Sequence, residues 1–149
     1  MAYLLDTSIL GRLANTVDAS YPIAARAVLE LHRRGEVLHI TPQNMVEFRN
    51  VATRPARSNG LGLTPRQAEA KAAGFEAEFS LLPETPEIYP FWKTLVTALA
   101  VIGKTVHDAR LVAVCHANNV THLLTFNGAH FARFVAFGPG ITLVDPRVV

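Results

Sequence analysis

The stretch LLDTSIL, Leu4–Leu10, joins a short apolar run to an acidic residue and two hydroxyl residues. The apolar residues Ala2–Leu5 predict a buried β-strand, because short apolar runs bounded by polar residues are typical of strands in parallel sheets. Asp6, Thr7 and Ser8 are residue types that cap helices, and they predict a helix from about Ser8 to Ala14. A strand that passes directly into a helix is the repeating unit of α/β proteins, so this stretch indicates that fold class.

The rest of the chain continues the alternation of short apolar runs and helical segments. Further strands are predicted at Val37–Ile40, Ser80–Leu82, Thr121–Thr125 and Ile141–Val144. Further helices are predicted at Ala24–Arg34, Pro42–Thr53, Thr64–Phe79, Glu87–Val101, Thr105–His116 (capped by Thr105) and Ala129–Phe134, with a loop at Arg54–Leu63. The pattern predicts one α/β domain over residues 1–149, a three-layer α/β/α sandwich with a central, mostly parallel sheet. Ligands of such sheets bind beyond the carboxyl ends of the strands.

Composition excludes several classes of protein. Half of the 149 residues are hydrophobic and 17% are charged, which excludes a disordered or fibrous chain. No apolar run approaches the roughly 18 residues of a membrane helix, and the N-terminus lacks the basic region of a signal peptide. The one cysteine, Cys115, ends an apolar stretch and is expected to be a buried structural thiol. These features predict a cytoplasmic protein with no membrane partner.

Two of the four aspartates stand where an ionised side chain is costly. Asp6 ends the first strand, and Asp108 shares a helix face with Leu111, Val112 and Cys115. A buried carboxylate is strongly unfavourable unless it is paired or binds a cation. Each residue also has a structural explanation, since Asp6 can cap the next helix and Asp108 can interact with a helix dipole.

Glu47 and Asn127 are the other polar candidates, although each alone fits a solvated helix flank or an ordinary turn. Asp6, Asn127 and the start of the Asp108 helix are each expected to follow the carboxyl end of a parallel strand, where distant residues converge. Three carboxylates in one cleft repel one another, and a divalent cation relieves that repulsion. Oxygen ligands without a cysteine cluster favour Mg²⁺ or Mn²⁺, and such a site predicts phosphoryl chemistry.

Four segments in order resemble the PIN-domain ribonucleases of the VapC toxin type, from toxin–antitoxin systems. They are LLDTSIL (Leu4–Leu10), NMVEF (Asn44–Phe48), HDARLVAV (His107–Val114) and LLTFNGAHF (Leu123–Phe131), and together they span nearly the whole chain. The resemblance implies that Asp6, Glu47 and Asp108 bind the metal, and that Asn127 occupies a fourth catalytic position. It also places Thr7 or Ser8 where a hydroxyl can support the first carboxylate or a metal-bound water.

The resemblance further implies an activity and partners. The implied protein is an endoribonuclease that depends on Mg²⁺ or Mn²⁺, forms a homodimer, and is inhibited by a small antitoxin whose tail reaches the acidic cleft. Asn127 departs from the carboxylate found in many relatives, so the site has three carboxylates and is expected to hold at least one ion, with no stable second ion in the absence of RNA. Water attack at phosphorus is expected to leave 5′-phosphate ends.

Basic residues near these segments are candidate RNA contacts. The net charge is only +2, but 11 of the 14 cations are arginines, whose forked donors suit phosphates. The candidate substrate-binding residues are Thr7, Ser8, Arg49, Arg54, Arg57, Arg110 and His130, with His107 beside Asp108. The glycine-containing segment Arg54–Gly62 is a candidate lid or docking segment.

Alternative functions differ in what they require of the sequence. An all-helical phosphohydrolase with a His-Asp pair would explain His107-Asp108, but the strand patterns at 37–40 and 121–125 argue against it. A haloacid-dehalogenase site would require a second aspartate where Ser8 stands. A PIN fold that binds RNA or protein without cleaving it stays open, because Asn127 replaces a carboxylate.

Overall fold

The computed structural model describes residues 1–138 and 140–149. Within them the strands are β1 (Ala2–Leu5), β2 (Val37–Ile40), β3 (Ser80–Leu81), β4 (His122–Leu124) and β5 (Thr142–Val144). The α-helices are α1 (Thr7–Leu13), α2 (Tyr21–Arg33), α3 (Pro42–Thr53), α4 (Pro65–Glu78), α5 (Ile88–Ala98), α6 (Thr105–Ala117) and α7 (Gly128–Phe137).

The five strands form one sheet in the order β3-β2-β1-β4-β5. Each neighbouring pair is parallel, which confirms the expected parallel architecture. β1 lies in the middle, where Leu4 is in register with His39 on one side and Leu123 on the other. All carboxyl ends therefore lie along the same edge of the sheet, and Asp6 directly follows the central strand at that edge.

Helices cover both faces of the sheet, as the expected three-layer α/β/α sandwich requires. Side chains alternate between the faces along a strand. Tyr3 and Leu5 pack in a buried cluster with residues of α1, α2, α3 and α4. Leu4 points to the opposite face and packs with residues of α5, α6 and α7. The two hydrophobic clusters are thus separated by the sheet.

Local sequence accounts for the starts of α3 and α4 and for the end of α2. Thr41 accepts a hydrogen bond from the backbone of Asn44, and Pro42 occupies the first turn of α3. The same capping pattern, with Thr64 and Gln67, begins α4. Gly35 adopts a φ of +73°, a left-handed conformation that lets the chain turn after α2.

Several predicted bounds differ from the structure. α2 begins at Tyr21 instead of Ala24, because Pro22 fits the first turn of a helix. Thr105 does not cap α6: Lys104 is the N-cap residue, and the Thr105 hydroxyl donates to the carbonyl oxygen of Ile102. α7 is longer than predicted and ends at Phe137.

Burial accounts for several apolar residues on α5 and α6. Leu95 is fully buried in the core. Trp92 packs against the same cluster and donates from Nε1 to the carbonyl oxygen of Val106, so core packing explains both residues. Cys115 is buried as expected, and burial raises the pKa of its thiol to about 12. Among the described residues, no helix combines the length and the hydrophobicity that crossing a membrane requires.

Candidate active site

A cleft of about 720 Å³ opens at the carboxyl edge of the sheet, beyond β1 and β4. Its lining includes the four predicted site residues, Asp6, Glu47, Asp108 and Asn127. They come from the end of β1, from α3, from α6 and from the start of α7, and so from helices on both faces of the sheet. The structure therefore brings together the side chains that the sequence singled out.

Asp6 is the most buried of the three carboxylates, with 5% of its surface exposed. It is the N-cap residue of α1, yet its side chain makes no capping hydrogen bond. Oδ2 instead accepts from the hydroxyls of Ser8 at 2.6 Å and Thr125 at 2.8 Å. Burial raises the pKa of Asp6, while the two hydroxyl donors oppose that shift. Helix capping thus does not explain this carboxylate.

Thr125 belongs to the site, although it was not among the predicted site residues. It is 1% exposed, donates to Asp6, and accepts a hydrogen bond from the backbone N–H of Asn127 at 2.9 Å. A signal was available, because Thr125 is the last residue of the predicted strand Thr121–Thr125, and in the structure it directly follows β4. Neighbouring parallel strands end side by side, and the N–H of Asp6 donates to the carbonyl of Leu124 at 3.0 Å.

Glu47 is held by donors on two helices. Its Oε2 accepts from the Thr7 hydroxyl at 2.6 Å, and its Oε1 accepts from Gln43 Nε2 at 2.7 Å. Thr7 in turn accepts from Nδ2 of Asn44, a fully buried residue that also forms the cap of α3. The predicted supporting role of hydroxyls beside Asp6 is therefore divided: Ser8 contacts Asp6, and Thr7 contacts Glu47.

Asp108 reaches the cleft by a route that differs from the prediction. α6 follows α5, not a strand, so the expectation that the Asp108 helix begins at a strand end is wrong. The helix instead packs on α5, and its first turn projects Asp108 over the edge of the sheet. Burial, together with the negative charges of Asp6 and Glu47, raises the pKa of Asp108 to about 6, although His130 and His107 oppose the shift. The carboxylates thus lie close enough to repel one another.

Asn127 and His130 complete this side of the cleft. Asn127 is the N-cap residue of α7, but its side chain makes no capping hydrogen bond and is exposed in the cleft lining. His130 lies one turn further along α7, where its Nδ1 is 3.9 Å from Asp108 Oδ2 and its side chain is 60% exposed.

The predicted basic contacts separate into two groups. Arg54, His107 and His130 line the cleft. Arg49, Arg57 and Arg110 do not line it: Arg49 pairs with Glu69 of α4, and Arg110 pairs with Glu84 at 2.6 Å. Two cations that were not among the predicted contacts, Arg12 and Lys104, also line the cleft. Nothing in the local pattern around these two residues distinguishes them from ordinary surface cations.

The segment Arg54–Gly62, the candidate lid or docking segment, forms one wall of the cleft. Leu61 donates to the carbonyl of Val51 at 3.0 Å and Gly62 donates to that of Arg54 at 2.9 Å, so the segment folds back onto the end of α3. Leu61 also packs against the hydrophobic core. A Cβ at Gly60 would fall against the carbonyl oxygen of Arg54, so only glycine fits there.

The carboxylates of the cleft are ligands of the type that hard divalent cations prefer. All three carboxylates offer oxygen ligands. Burial and, to a smaller extent, the charges of Asp6 and Glu47 raise the pKa of Asp108, and a bound cation would offset both effects. Among the described residues, however, no three His, Cys, Asp or Glu side chains already enclose a metal position. Both oxygens of Glu47 accept hydrogen bonds, from Thr7 and Gln43, whereas the two hydroxyls that donate to Asp6 share Oδ2. Asp6 and Asp108 are therefore the carboxylates best suited to direct contact.

These features define a class of α/β/α proteins with an acidic, all-oxygen cleft at the carboxyl edge of a parallel sheet. The sequence model of the PIN domain matches residues 3–136. The chain therefore belongs to the PIN domain family, as the four sequence segments indicated. PIN domains of this kind are nucleases.

Solved structures share this fold at low sequence identity. VapBC2 from Rickettsia felis, solved with a promoter DNA fragment, matches with a TM-score of 0.70 and 21% identity, covering 97% of this chain and 98% of that chain. VapBC-1 from nontypeable Haemophilus influenzae matches with a TM-score of 0.71 and 17% identity, covering 98% of both chains. VapC20 from Mycobacterium tuberculosis, a Sarcin-Ricin loop cleaving toxin, matches with a TM-score of 0.61 and 20% identity, covering 87% and 93%. No curated protein matches the chain.

Proposed function

We propose that this protein is a Mg²⁺- or Mn²⁺-dependent endoribonuclease and the toxin of a toxin–antitoxin pair. The observation that carries the proposal is the convergence of Asp6, Glu47 and Asp108 on one cleft from three separate elements. A protein gains no stability from carboxylates that repel one another, so the arrangement is best explained by a cation and a phosphate substrate. The family of the chain supports the same activity.

Each side chain of the site has a distinct task. Asp6 and Asp108 would hold the ion, and Glu47 would orient the attacking water. Ser8 and Thr125 keep Asp6 in one orientation through their hydrogen bonds to Oδ2. The side-chain amide of Asn127 makes no capping hydrogen bond, so it can donate one to the substrate. A bound divalent ion supplies activation of water and neutralisation of the charge that develops on the leaving 3′ oxygen. The products would carry 5′-phosphate and 3′-hydroxyl ends.

The cations that line the cleft favour a substrate that carries phosphates, such as RNA. Arg12, Arg54 and Lys104 come from three different segments of the lining, where Arg12 also lies 3.6 Å from Asp18. Cations in the cleft attract phosphates that the carboxylates alone would repel.

An antitoxin protein is the second partner of the proposal. Two of the structures with the same fold are described as VapBC proteins, from Rickettsia felis and Haemophilus influenzae. An antitoxin tail that carries arginine or lysine would complement the acidic floor of the cleft. The homodimer stays a prediction that rests on the family resemblance.

Asn127 favours a second candidate function, an RNA- or protein-binding PIN fold without cleavage. An amide in place of a fourth carboxylate weakens the attraction for a second ion. Cleavage assays separate the two functions, because a binding module would retain RNA without shortening it.

The experiment is cleavage of end-labelled RNA with Mg²⁺ or Mn²⁺, compared with EDTA. We expect the wild type to cleave, and Asp6→Ala and Asp108→Ala to be inactive. Asp145→Ala is the matched control, because Asp145 pairs with Arg147 and does not line the cleft. Equal activity of all four proteins would identify a contaminant or a different site. Products that end in 2′,3′-cyclic phosphate would exclude the water-attack mechanism, since that end requires the ribose hydroxyl as nucleophile.

A further inference from the structure

Gln43 lies on α3 one turn before Glu47 and uses its whole amide group. Nε2 donates to Glu47 Oε1 at 2.7 Å and to the backbone carbonyl oxygen of His107 at 2.8 Å. Oε1 accepts from Arg110 Nη1 at 3.1 Å. Gln43 therefore connects the helix that carries Glu47 with α6, the helix that carries Asp108.

The surrounding groups allow this amide only one orientation. Two acceptors, a carboxylate and a backbone carbonyl, face its nitrogen, and one guanidinium faces its oxygen. Exchanging the two amide atoms would place oxygen against oxygen at both acceptors. Arg110 is itself held on its far side, where Nη2 donates to Glu84 Oε2 at 2.6 Å. The contact is therefore a defined link, not a casual surface hydrogen bond.

Among the residues that the structure describes, the side-chain hydrogen bonds that join α3 to α6 are those of Gln43. α3 packs in the hydrophobic cluster on one face of the sheet, through Met45 and Phe48. α6 packs in the cluster on the other face, through Leu111 and Val112. Apolar packing fixes each helix against its own face of the sheet, but it does not set the distance between their ends across the cleft. Polar contacts of Gln43 span that gap.

We propose that Gln43 is a positioning residue, which holds Glu47 in place and sets the spacing between α3 and α6 at the active site. Arg110 acts by orienting Gln43 and not by contacting RNA, which replaces its predicted role. The inference rests on the proposed nuclease function. Groups that orient ligand side chains typically contribute about 10–100-fold to metal affinity or activity.

The test uses Gln43→Met, which keeps the length of the side chain and removes its hydrogen bonds. Gln67→Met is the matched control, because Gln67 is exposed and only caps α4. For each protein, kcat and KM are measured on RNA, and Mn²⁺ affinity is measured without RNA from the thermal midpoint at increasing Mn²⁺. We expect Gln43→Met to lose about 10–100-fold in kcat and in Mn²⁺ affinity with KM unchanged. Arg110→Met should likewise lower kcat and Mn²⁺ affinity and leave KM unchanged.

The outcomes are distinct. Wild-type kcat and Mn²⁺ affinity in Gln43→Met would overturn the inference and leave the nuclease proposal standing. A raised KM with unchanged kcat in Arg110→Met would show that Arg110 contacts RNA, which contradicts its role here. A wild type that neither binds Mn²⁺ nor cleaves RNA would overturn the nuclease function and this inference with it. If Gln43→Met does not fold, NMR of the unaltered metal-free protein decides: slow exchange of the Gln43 side-chain amide hydrogens supports the link, and fast exchange contradicts it.

Discussion

Asp108→Asn should stabilise the metal-free protein while abolishing its activity. The pKa of Asp108 is raised from 3.8 to about 6, first by burial and then by the charge of Asp6. A carboxyl whose pKa is higher in the folded state stabilises the fold below its unfolded pKa, and that stability is lost as the pH rises through about 6. At pH 8 the ionised Asp108 is therefore a net cost to the metal-free protein, and asparagine removes the charge.

The magnitude follows from the size of the pKa difference. At about 1.36 kcal/mol per pKa unit, a rise from 3.8 to about 6 corresponds to about 3 kcal/mol at pH 8. The side chain is 26% exposed, so water reduces this cost. Asp108 also lies in the first turn of α6, where a negative charge contributes about 0.3–1 kcal/mol that asparagine forfeits. We expect a net gain of about 1–2 kcal/mol at pH 8.

The assay is thermal unfolding followed by circular dichroism in EDTA at pH 4 and pH 8. A gain of 1 kcal/mol raises the midpoint of a chain of this size by about 2–4 °C, so the variant should melt several degrees above the wild type at pH 8. At pH 4 the side chain at position 108 is neutral in the folded wild type and in the folded variant, so the difference between their melting temperatures should nearly vanish. Adding Mn²⁺ at pH 8 should raise the wild-type midpoint more than that of the variant, because the ion binds the native carboxylates.

A variant that melts at or below the wild-type temperature at pH 8 would refute the reasoning. It would mean that Asp108 is solvated in the folded protein and does not feel the charge of Asp6. Asp145→Asn is the matched control, since Asp145 lies outside the cleft and pairs with Arg147. This control should show no gain at either pH.

Three further predictions concern the support of Asp6 by Thr125, the close contact at Gly60, and the position of Arg54 in the cleft. Thr125→Val removes a hydroxyl that donates to buried Asp6, and should lower the free energy of unfolding by about 1.5–3 kcal/mol in denaturant titrations; an unchanged midpoint would argue against the contact. Gly60→Ala places a Cβ against the carbonyl oxygen of Arg54 and should destabilise the protein by about 1–3 kcal/mol, whereas wild-type stability would show that the wall is loose. Arg54→Glu should weaken RNA binding and flatten its salt dependence, while Arg57→Glu, outside the cleft, should not; equal salt slopes for the two variants would contradict this difference.

Much of the fold could be predicted from short stretches of sequence. Strands β1 and β2 were predicted with their observed bounds, because an apolar run between polar residues reports burial of those same residues. Capping residues such as Thr41 and Thr64 located two helix starts for a similarly local reason. Errors fell at two other helix starts. The apolar periodicity of α2 begins only at Ala24, although Pro22 already marks the first turn, and Thr105 has the chemistry of a cap, although Lys104 occupies that position in α6.

The candidate site was predictable where it follows strands. Asp6 and Asn127 were placed at the sheet edge by the general geometry of parallel strands, without knowledge of any contact. Asp108 was expected in the same cleft, but for the wrong reason. Its helix was expected to follow a strand, whereas α6 follows α5 and packs with it on the face of the sheet opposite α3. The family resemblance supplied what the residue pattern alone left open, namely that Glu47 faces the same cleft.

Sequence by itself determined which segments become strands and helices, that they form a parallel α/β sandwich, and which acidic residues are costly to bury. Tertiary structure alone decided that Thr125 supports Asp6, that Gln43 joins α3 to α6, and that Arg54 faces the cleft while Arg49 and Arg110 face Glu69 and Glu84. The difference has a physical cause. Periodicity and capping act within a few residues, whereas these contacts join side chains far apart in the chain and depend on how two helical layers meet at the edge of one sheet.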